Sequence, residues 1–398
     1  MHSQPLPNNP EAACARRLRV SVVTETYPPE VNGVAMTIGQ LVHGLLKRGH
    51  RVQLIRPRQT PTETVSCNGD LESVPVLGFS LPFYREVRFG LPASRTLAKL
   101  WREKKPDIVH IATEGPLGHS ALGCALRFEI PVSSSFHTNF HSYSRHYGAG
   151  LLAKPIIAHL RRFHNHAAFT LVATEELAEQ LQAVGFHHLW VLARGVDTQL
   201  FNPARRSPEL RQSWGASPDD PVLLYVGRLA AEKNLQLVMK TFTAICEQSS
   251  NARLVLVGDG PARTRLAKQH PQVIFSGMRT GEELATHYAS ADIFVFPSLT
   301  ETFGNVTLEA MASGLAVIAF NYAAAGRHLE HNRNGLPIPV GDTTAFVQAA
   351  QSLVTSPDRW RRLGKAARRS AEPFDWEYIY QAFEAILLRL ATPGGEHA

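Results

Sequence analysis

The stretch that decides the fold is DIFVFPSLTETFGNVTLEAMASGLAVIAF, residues 292–320. It opens on a β-branched and aromatic run, passes through a polar loop, and continues as a helix-forming segment before a second apolar run. Strand, loop, helix and strand in that order predict a βαβ unit and therefore a parallel sheet. Two carboxylates, Glu301 in the loop and Glu309 in the helix, stand eight residues apart. At the helical rise they would lie about 10 Å from each other. That spacing is too wide for a paired acid and base on one bond and suits two contacts on an extended ligand. Gly304 and Asn305 open the helix, where outward N–H groups make a site for a pyrophosphate. Two ordinary surface glutamates on a capped helix would look the same in isolation.

Working outward, the same alternation runs through nearly the whole chain. Strand-like runs fall at 18–25, 51–57, 107–113, 131–138 and 169–174, and again at 221–229, 252–260, 272–277, 292–298 and 315–320. The segment TIGQLVHGLLKRGH (37–50) has helical spacing and closes on Lys47, Arg48 and Gly49, a helix stop. Two successive doubly wound sheets follow, with ligands expected at the carboxyl ends of their strands. The expected division is a disordered leader over 1–17, a first domain over 18–195, a second over 196–373, and a C-terminal helix over 374–398 that packs back toward the first domain. A length of 398 residues suits two domains.

Four further stretches carry chemistry. In YVGRLAAEKNLQLV (225–238), Arg228 and Lys233 bracket the approach to a helix, a natural clamp for a diphosphate. In TETYPPEVNGVAMTIGQL (24–41), Gly33 precedes a helix and allows close backbone approach to a phosphate or sugar. The G-x-G-x-x-G fingerprint is missing there, and Arg56 ends the second strand where a nicotinamide site wants an acid. In SSSFHTNFHSYSRHYG (133–148), His137 ends a buried strand, and His141, Tyr143, His146 and Tyr147 follow at a spacing that fits no standard metal set. In GAGLLAKPIIAHLRRFHNHAAF (148–169), apolar residues alternate with Lys154, Arg161 and Arg162. That pattern fits either a membrane-surface helix or a core-facing helix with solvated bases.

Composition narrows the partners. The formal net charge is +7, and residues 1–195 hold 21 Lys and Arg against 14 Asp and Glu, so the whole surplus sits in the first half. An anionic membrane surface would use that surplus, and so would nothing in particular in a merely basic domain. The bases are dispersed, which argues against nucleic acid. Cys14, Cys67, Cys124 and Cys246 show no metal or disulfide spacing, as in a reducing cytoplasm. No run reaches the apolar length of a spanning helix.

Taken together these motifs resemble family 4 of the retaining glycosyltransferases. ETFGNVTLE (301–309) matches its E-x7-E element, and GRLAAEKN (227–234), VGDGP (257–261) and RGVDTQLF (194–201) match in order and spacing. The resemblance implies an α/β chain of the GT-B fold, two Rossmann-like doubly wound parallel-sheet domains facing a deep cleft. It implies that Glu309 holds the ribose hydroxyls of a nucleotide sugar and that Glu301 contacts the hexose, aided by the Gly304 and Asn305 backbone. Arg228 and Lys233 would hold the diphosphate, Gly33 would approach it, and His137 would touch the sugar. Met278, Arg279 and Thr280 would line the base. Glu114 and Gly115 of HIATEGPLG (110–118), with Tyr143, would meet the acceptor.

Members retain anomeric configuration without a clear protein nucleophile. The favoured account is front-side attack, in which the leaving phosphate takes the acceptor proton and domain closure excludes water. No metal or other cofactor is expected, the two cations replacing the charge of a divalent ion. Within the family, ETYPPEVNGVAMTIGQLV (25–42) and FHTNF (136–140) look most like GDP-mannose-dependent α-mannosyltransferases and glycolipid-forming hexosyltransferases. The expectation is therefore a hexosyltransferase using GDP-mannose, on a lipid or glycan acceptor at the cytoplasmic membrane face. The alternatives are a UDP-sugar-dependent glucosyl, glucuronosyl or sulfoquinovosyl transferase to diacylglycerol, and a non-hydrolysing nucleotide-sugar epimerase.

Overall fold

The computed structural model describes residues 16–30, 32–81, 84–137, 153–301 and 303–392. The chain divides into two compact units, Met1–Ala193 with Trp376–Ala398, and Arg194–Asp375.

The first unit is built on β1 (Arg19–Val23), β2 (Arg51–Pro57), β3 (Ser66–Asn68), β4 (Leu71–Val76), β5 (Gly78–Leu81), β6 (Tyr84–Gly90), β7 (Ile108–Ile111), β8 (Val132–Ser135), β9 (Phe169–Val172) and β10 (Leu189–Val191). Eight of them form one sheet in the order β10-β9-β8-β7-β1-β2-β4-β3. Every neighbour pair in it is parallel except β3 with β4. The central strands β1, β7 and β8 are buried on both faces along nearly their whole length, with Val20, Val22, Val23, Ile108 and Ile111 in the core. The hairpin β5–β6 stands as a separate antiparallel pair. It lies in residues 58–106, where no element was expected.

The C-terminal helix Trp376–Ala391 belongs to this first unit and packs on the helix Gly33–Lys47. Its Tyr380 ring lies so close to Gly44 that any side chain at 44 would collide with it. Its buried Glu384 accepts from His50 Nε2 at 2.8 Å, and His50 Nδ1 accepts from Leu18 N at 3.1 Å.

The second unit holds β11 (Val222–Val226), β12 (Arg253–Val257), β13 (Ile274–Gly277), β14 (Ile293–Phe296), β15 (Ala316–Phe320) and β16 (Leu336–Ile338). They form one wholly parallel sheet in the order β13-β12-β11-β14-β15-β16. Its core includes Leu224, Phe294, Leu308, Met311, Phe346 and Leu363, all without accessible surface.

Each expected strand is present, but most end two or three residues early. Small polar residues or glycine follow those carboxyl ends, such as Thr24, Thr113, Thr174, Gly227, Gly258 and Ser298. The basic stretch 148–169 forms the helix Ala153–His164, while 148–152 lie outside the described residues. Leu160 is buried in a cluster with Phe136, Val172, Leu181 and Phe186, and Ile156 and Ile157 pack against that cluster. The described apolar residues of this helix thus pack on the unit's own core, as the core-facing alternative expects. No described helix is long and apolar enough to cross a membrane.

Candidate active site

In a doubly wound sheet the strand order reverses at one point, and the two loops leaving the sheet there diverge and open a crevice. In the second unit that point lies between β11 and β14. The loop after β11 is Gly227–Asn234, and the loop after β14 runs to Gly304.

The β11 loop is held down by glycines. Gly227 (φ +150°) and Gly258 (φ +131°) pack so tightly that a Cβ on Gly258 would strike the Gly227 carbonyl. Only glycine permits both the backbone angle and that approach. Tyr225, fully buried, donates from Oη to the Arg228 carbonyl at 3.2 Å. Arg228 itself has a side chain 47% exposed, with Nη1 3.6 Å from Glu232. Lys233 closes a short 3-10 turn, Ala231–Lys233, and the following helix starts only at Leu235. Lys233 therefore sits in the loop and points across it. Its Nζ donates to the Thr300 carbonyl at 3.0 Å and pairs with Glu301 Oε1.

The β14 loop is braced from below. Ser298 Oγ donates to Glu301 Oε1 at 2.7 Å, and Tyr322 Oη donates to the Ser298 carbonyl at 2.8 Å. Gly304 takes a left-handed angle (φ +87°) and caps the helix Asn305–Ala312 without a side-chain hydrogen bond. The helix N-terminus is thus presented by backbone alone. Because it begins at Asn305, only the last four of the eight steps from Glu301 to Glu309 rise at the helical pitch. The 10 Å estimate, which treated all eight as helix, does not carry over.

Glu309 lies inside this helix and accepts from Tyr288 Oη at 2.9 Å. Burial raises its carboxyl to about 7, against the lowering effect of the Tyr288 hydrogen bond. Met278, Arg279 and Thr280 follow β13, two strands along the same sheet edge. Met278 is 53% exposed, Arg279 donates from Nε to the Ser276 carbonyl at 3.1 Å, and Thr280 precedes the helix Gly281–Ser290. Arg228, Lys233, Met278–Thr280, Glu301, Gly304, Asn305 and Glu309 thus all lie on elements at the carboxyl edge of one sheet. Tyr225, Tyr288, Ser298 and Tyr322, which hold several of them, escaped sequence reading. Their partners are 3 to 24 residues away, and no periodicity marks them.

In the first unit the order reverses between β1 and β7. Gly33 begins its helix behind the N-cap Asn32, whose Oδ1 accepts from Ala35 N at 2.8 Å. A Cβ on Gly33 would meet nothing within 4 Å among the described residues, so packing does not ask for glycine there. Glu114 and Gly115 leave β7 and lead into the helix Pro116–Arg127. Beside them lies Glu25, 5% exposed, which sequence reading quoted without assigning. Its Oε1 accepts from Leu117 N at 3.0 Å, and its carboxyl occupies the space a Cβ on Gly115 would take, so a side chain there would have to displace it. Burial raises Glu25 to about 7, the Leu117 amide pulling it down and Glu114 pushing it up.

His137 follows β8 by two residues and is partly exposed. His141, Tyr143, His146 and Tyr147 lie outside the described residues. Among the described residues no three His, Cys, Asp or Glu side chains gather as a metal site requires.

Comparison with known proteins gives this geometry its context. A model described as "Glycosyltransferase Family 4" matches residues 31–200, and one described as "Glycosyl transferases group 1" matches 220–356. A GDP-mannose-dependent alpha-mannosyltransferase of Mycobacterium tuberculosis is 35% identical over 385 residues, covering 94% of this chain and 98% of that one. An alpha-monoglucosyldiacylglycerol synthase of Streptococcus pneumoniae is 29% identical over 76% of this chain and 71% of its own. Among solved structures, the sucrose-phosphate synthase of Thermosynechococcus elongatus superposes with a TM-score of 0.76 at 19% identity, covering 94% of this chain and 99% of that one. That likeness establishes the fold. Family models on both units, and a relative at 35% identity over nearly the whole chain, establish the rest: the chain belongs to glycosyltransferase family 4, with the GT-B fold, and is a hexosyltransferase.

Proposed function

We propose that this enzyme transfers mannose from GDP-mannose, with retention, to a lipid or glycan acceptor at a membrane face. The observation that carries the donor side is the meeting of Lys233 and Glu301 at the switch point of the second unit. A cation and a carboxylate that close together suit the phosphate and the hexose of one nucleotide sugar, which are joined by a single bond. Arg228 and Lys233 would carry the charge building on the departing diphosphate, and the Gly304–Asn305 helix start would add its amides. These groups serve without a metal ion in this reading. Glu309 would take the ribose, and Met278–Thr280 the base.

Mannose and GDP are supported by the similarity to the mycobacterial mannosyltransferase. A lipid acceptor is supported by the similarity to the diacylglycerol-modifying synthase and by the basic first half of the chain. Glu114 and Gly115, at the other switch point, are the residues assigned to the acceptor.

The test supplies GDP-mannose, UDP-glucose, UDP-galactose and UDP-glucuronate separately to the purified protein with a bacterial lipid extract, and identifies products by mass. A mannosyl lipid from GDP-mannose alone is the expected result. A product from a UDP-sugar alone overturns the donor. Nucleotide release without a lipid product moves the acceptor to a soluble glycan. Repeating the reaction with a chelator checks metal independence.

A further inference from the structure

Tyr288 lies on the helix Gly281–Ser290 and has no accessible surface. Phe201 meets its ring edge-on at a centroid distance of 5.5 Å, and Phe294 lies tilted against it at 5.8 Å. A phenol walled in by aromatic rings cannot swing, so its hydroxyl is a donor fixed in space. That hydroxyl is aimed at one helix: it donates to Glu309 Oε2 at 2.9 Å and reaches the Val306 carbonyl at 3.4 Å. Burial and the neighbouring Glu309 charge hold its proton on well above the usual tyrosine range, so it stays a donor.

The consequence falls on Glu309. A glutamate side chain has three rotatable bonds, and freezing them for a ligand costs conformational entropy. Tyr288 has already done so through Oε2, and the bond leaves Oε1 out. A planar carboxylate fixed in this way matches two adjacent hydroxyls, each donating to one oxygen.

We propose that Tyr288 is a positioning residue for the nucleotide: by fixing Glu309 it sets the carboxylate to receive the paired 2′ and 3′ hydroxyls of a ribose, and so makes the site prefer ribonucleotides. This rests on the reading that Glu309 meets the ribose, and the test separates the two.

GDP and UDP are each titrated against their 2′,3′-dideoxy forms by calorimetry, with wild type, Tyr288→Phe and Glu309→Gln. The phenylalanine keeps the ring and its aromatic contacts, so the unit stays folded, which circular dichroism checks. Wild type is expected to favour the ribonucleotide by about 10- to 100-fold, the worth of hydrogen bonds to a charged group. Tyr288→Phe is expected to lose about five- to tenfold of that preference while binding the dideoxy form unchanged. In transfer assays the same variant raises the donor KM and leaves kcat in place, whereas loss of folded enzyme lowers kcat. If wild type shows no preference, the ribose reading of Glu309 fails and this inference with it. If Glu309→Gln loses the preference but Tyr288→Phe keeps it, Glu309 stands and Tyr288 is packing alone. Equal weakening of both nucleotide forms in Tyr288→Phe overturns the positioning role too.

Discussion

The two switch points of this molecule share a scaffold and differ in charge. In the second unit, between β11 and β14, the loops bring in Arg228, Lys233 and a helix start, with Glu301 paired to the lysine. In the first unit, between β1 and β7, the corresponding loops bring in Glu25 and Glu114 and no described cation. The same backbone geometry therefore carries two cations and a helix start in one place and an acidic, half-sealed crevice in the other. A doubly wound sheet supplies the crevice, and the loop residues alone decide what it holds.

The sharpest break of this comparison is Lys233→Ala. It removes one of the two cations from the second crevice, and kcat is expected to fall by about 100- to 1,000-fold, as when one preorganised charge donor is lost. Initial rates with the preferred donor, alongside circular dichroism, check it. Full activity would end the assignment of that crevice to the diphosphate.

A smaller effect follows from pH. Glu309 sits near 7 through burial. On the proposed ribose contact its ionised form would accept two hydroxyls, so nucleotide affinity should rise between pH 6 and 8 by about five- to tenfold. Glu309→Gln should flatten that profile in the same titration. A wild-type affinity that falls with pH would mean the protonated carboxyl is the working form.

The acidic crevice gives a stability signature in place of an affinity one. The folded value of Glu25 is near 7, above its usual 4.5, so the folded state holds the proton more tightly than the unfolded chain does. That stabilisation is complete below about pH 4.5 and is lost as the pH rises through 7. Glu25→Gln removes this dependence, and the gap in stability between pH 5 and pH 8 should narrow by on the order of 1–3 kcal/mol. Thermal melts at the two pH values read it. Glu309 shifts in the same direction, so the double variant should be flatter still.

Gly44→Ala serves as the control, because Gly44 belongs to the loops of neither crevice. It presses on the Tyr380 ring and should cost about 1–2 kcal/mol of stability, the scale of overpacking, with kcat intact. A melt and a rate measurement on one preparation suffice.

The strands of both sheets were legible in the sequence because parallel strands buried on two faces are unbroken apolar runs, as VLLYV (222–226) and IFVF (293–296) are. Most of the residues proposed for the donor could be named from the sequence because they cluster in two short stretches, 227–234 and 301–309, and each charged side chain type there has a direct chemical use. The basic helix over 153–164 was ambiguous for the opposite reason. Its pattern states that one face is apolar, and only packing against Phe136, Leu181 and Phe186 says what covers that face.

The sequence by itself thus determined the alternation of strand and helix and the doubly wound class, and it singled out the residues proposed for the donor. These follow from local periodicity and from motifs a few residues long. Tertiary structure alone decided which strands neighbour at each switch point, and so that Lys233 meets Glu301. It also decided that Tyr288 holds Glu309 across 21 residues of chain, and that Glu25 is sealed beneath Gly115 across 90. Such pairings depend on how sheet and helix pack. No local pattern encodes them, because the partners are neighbours only after the core has formed.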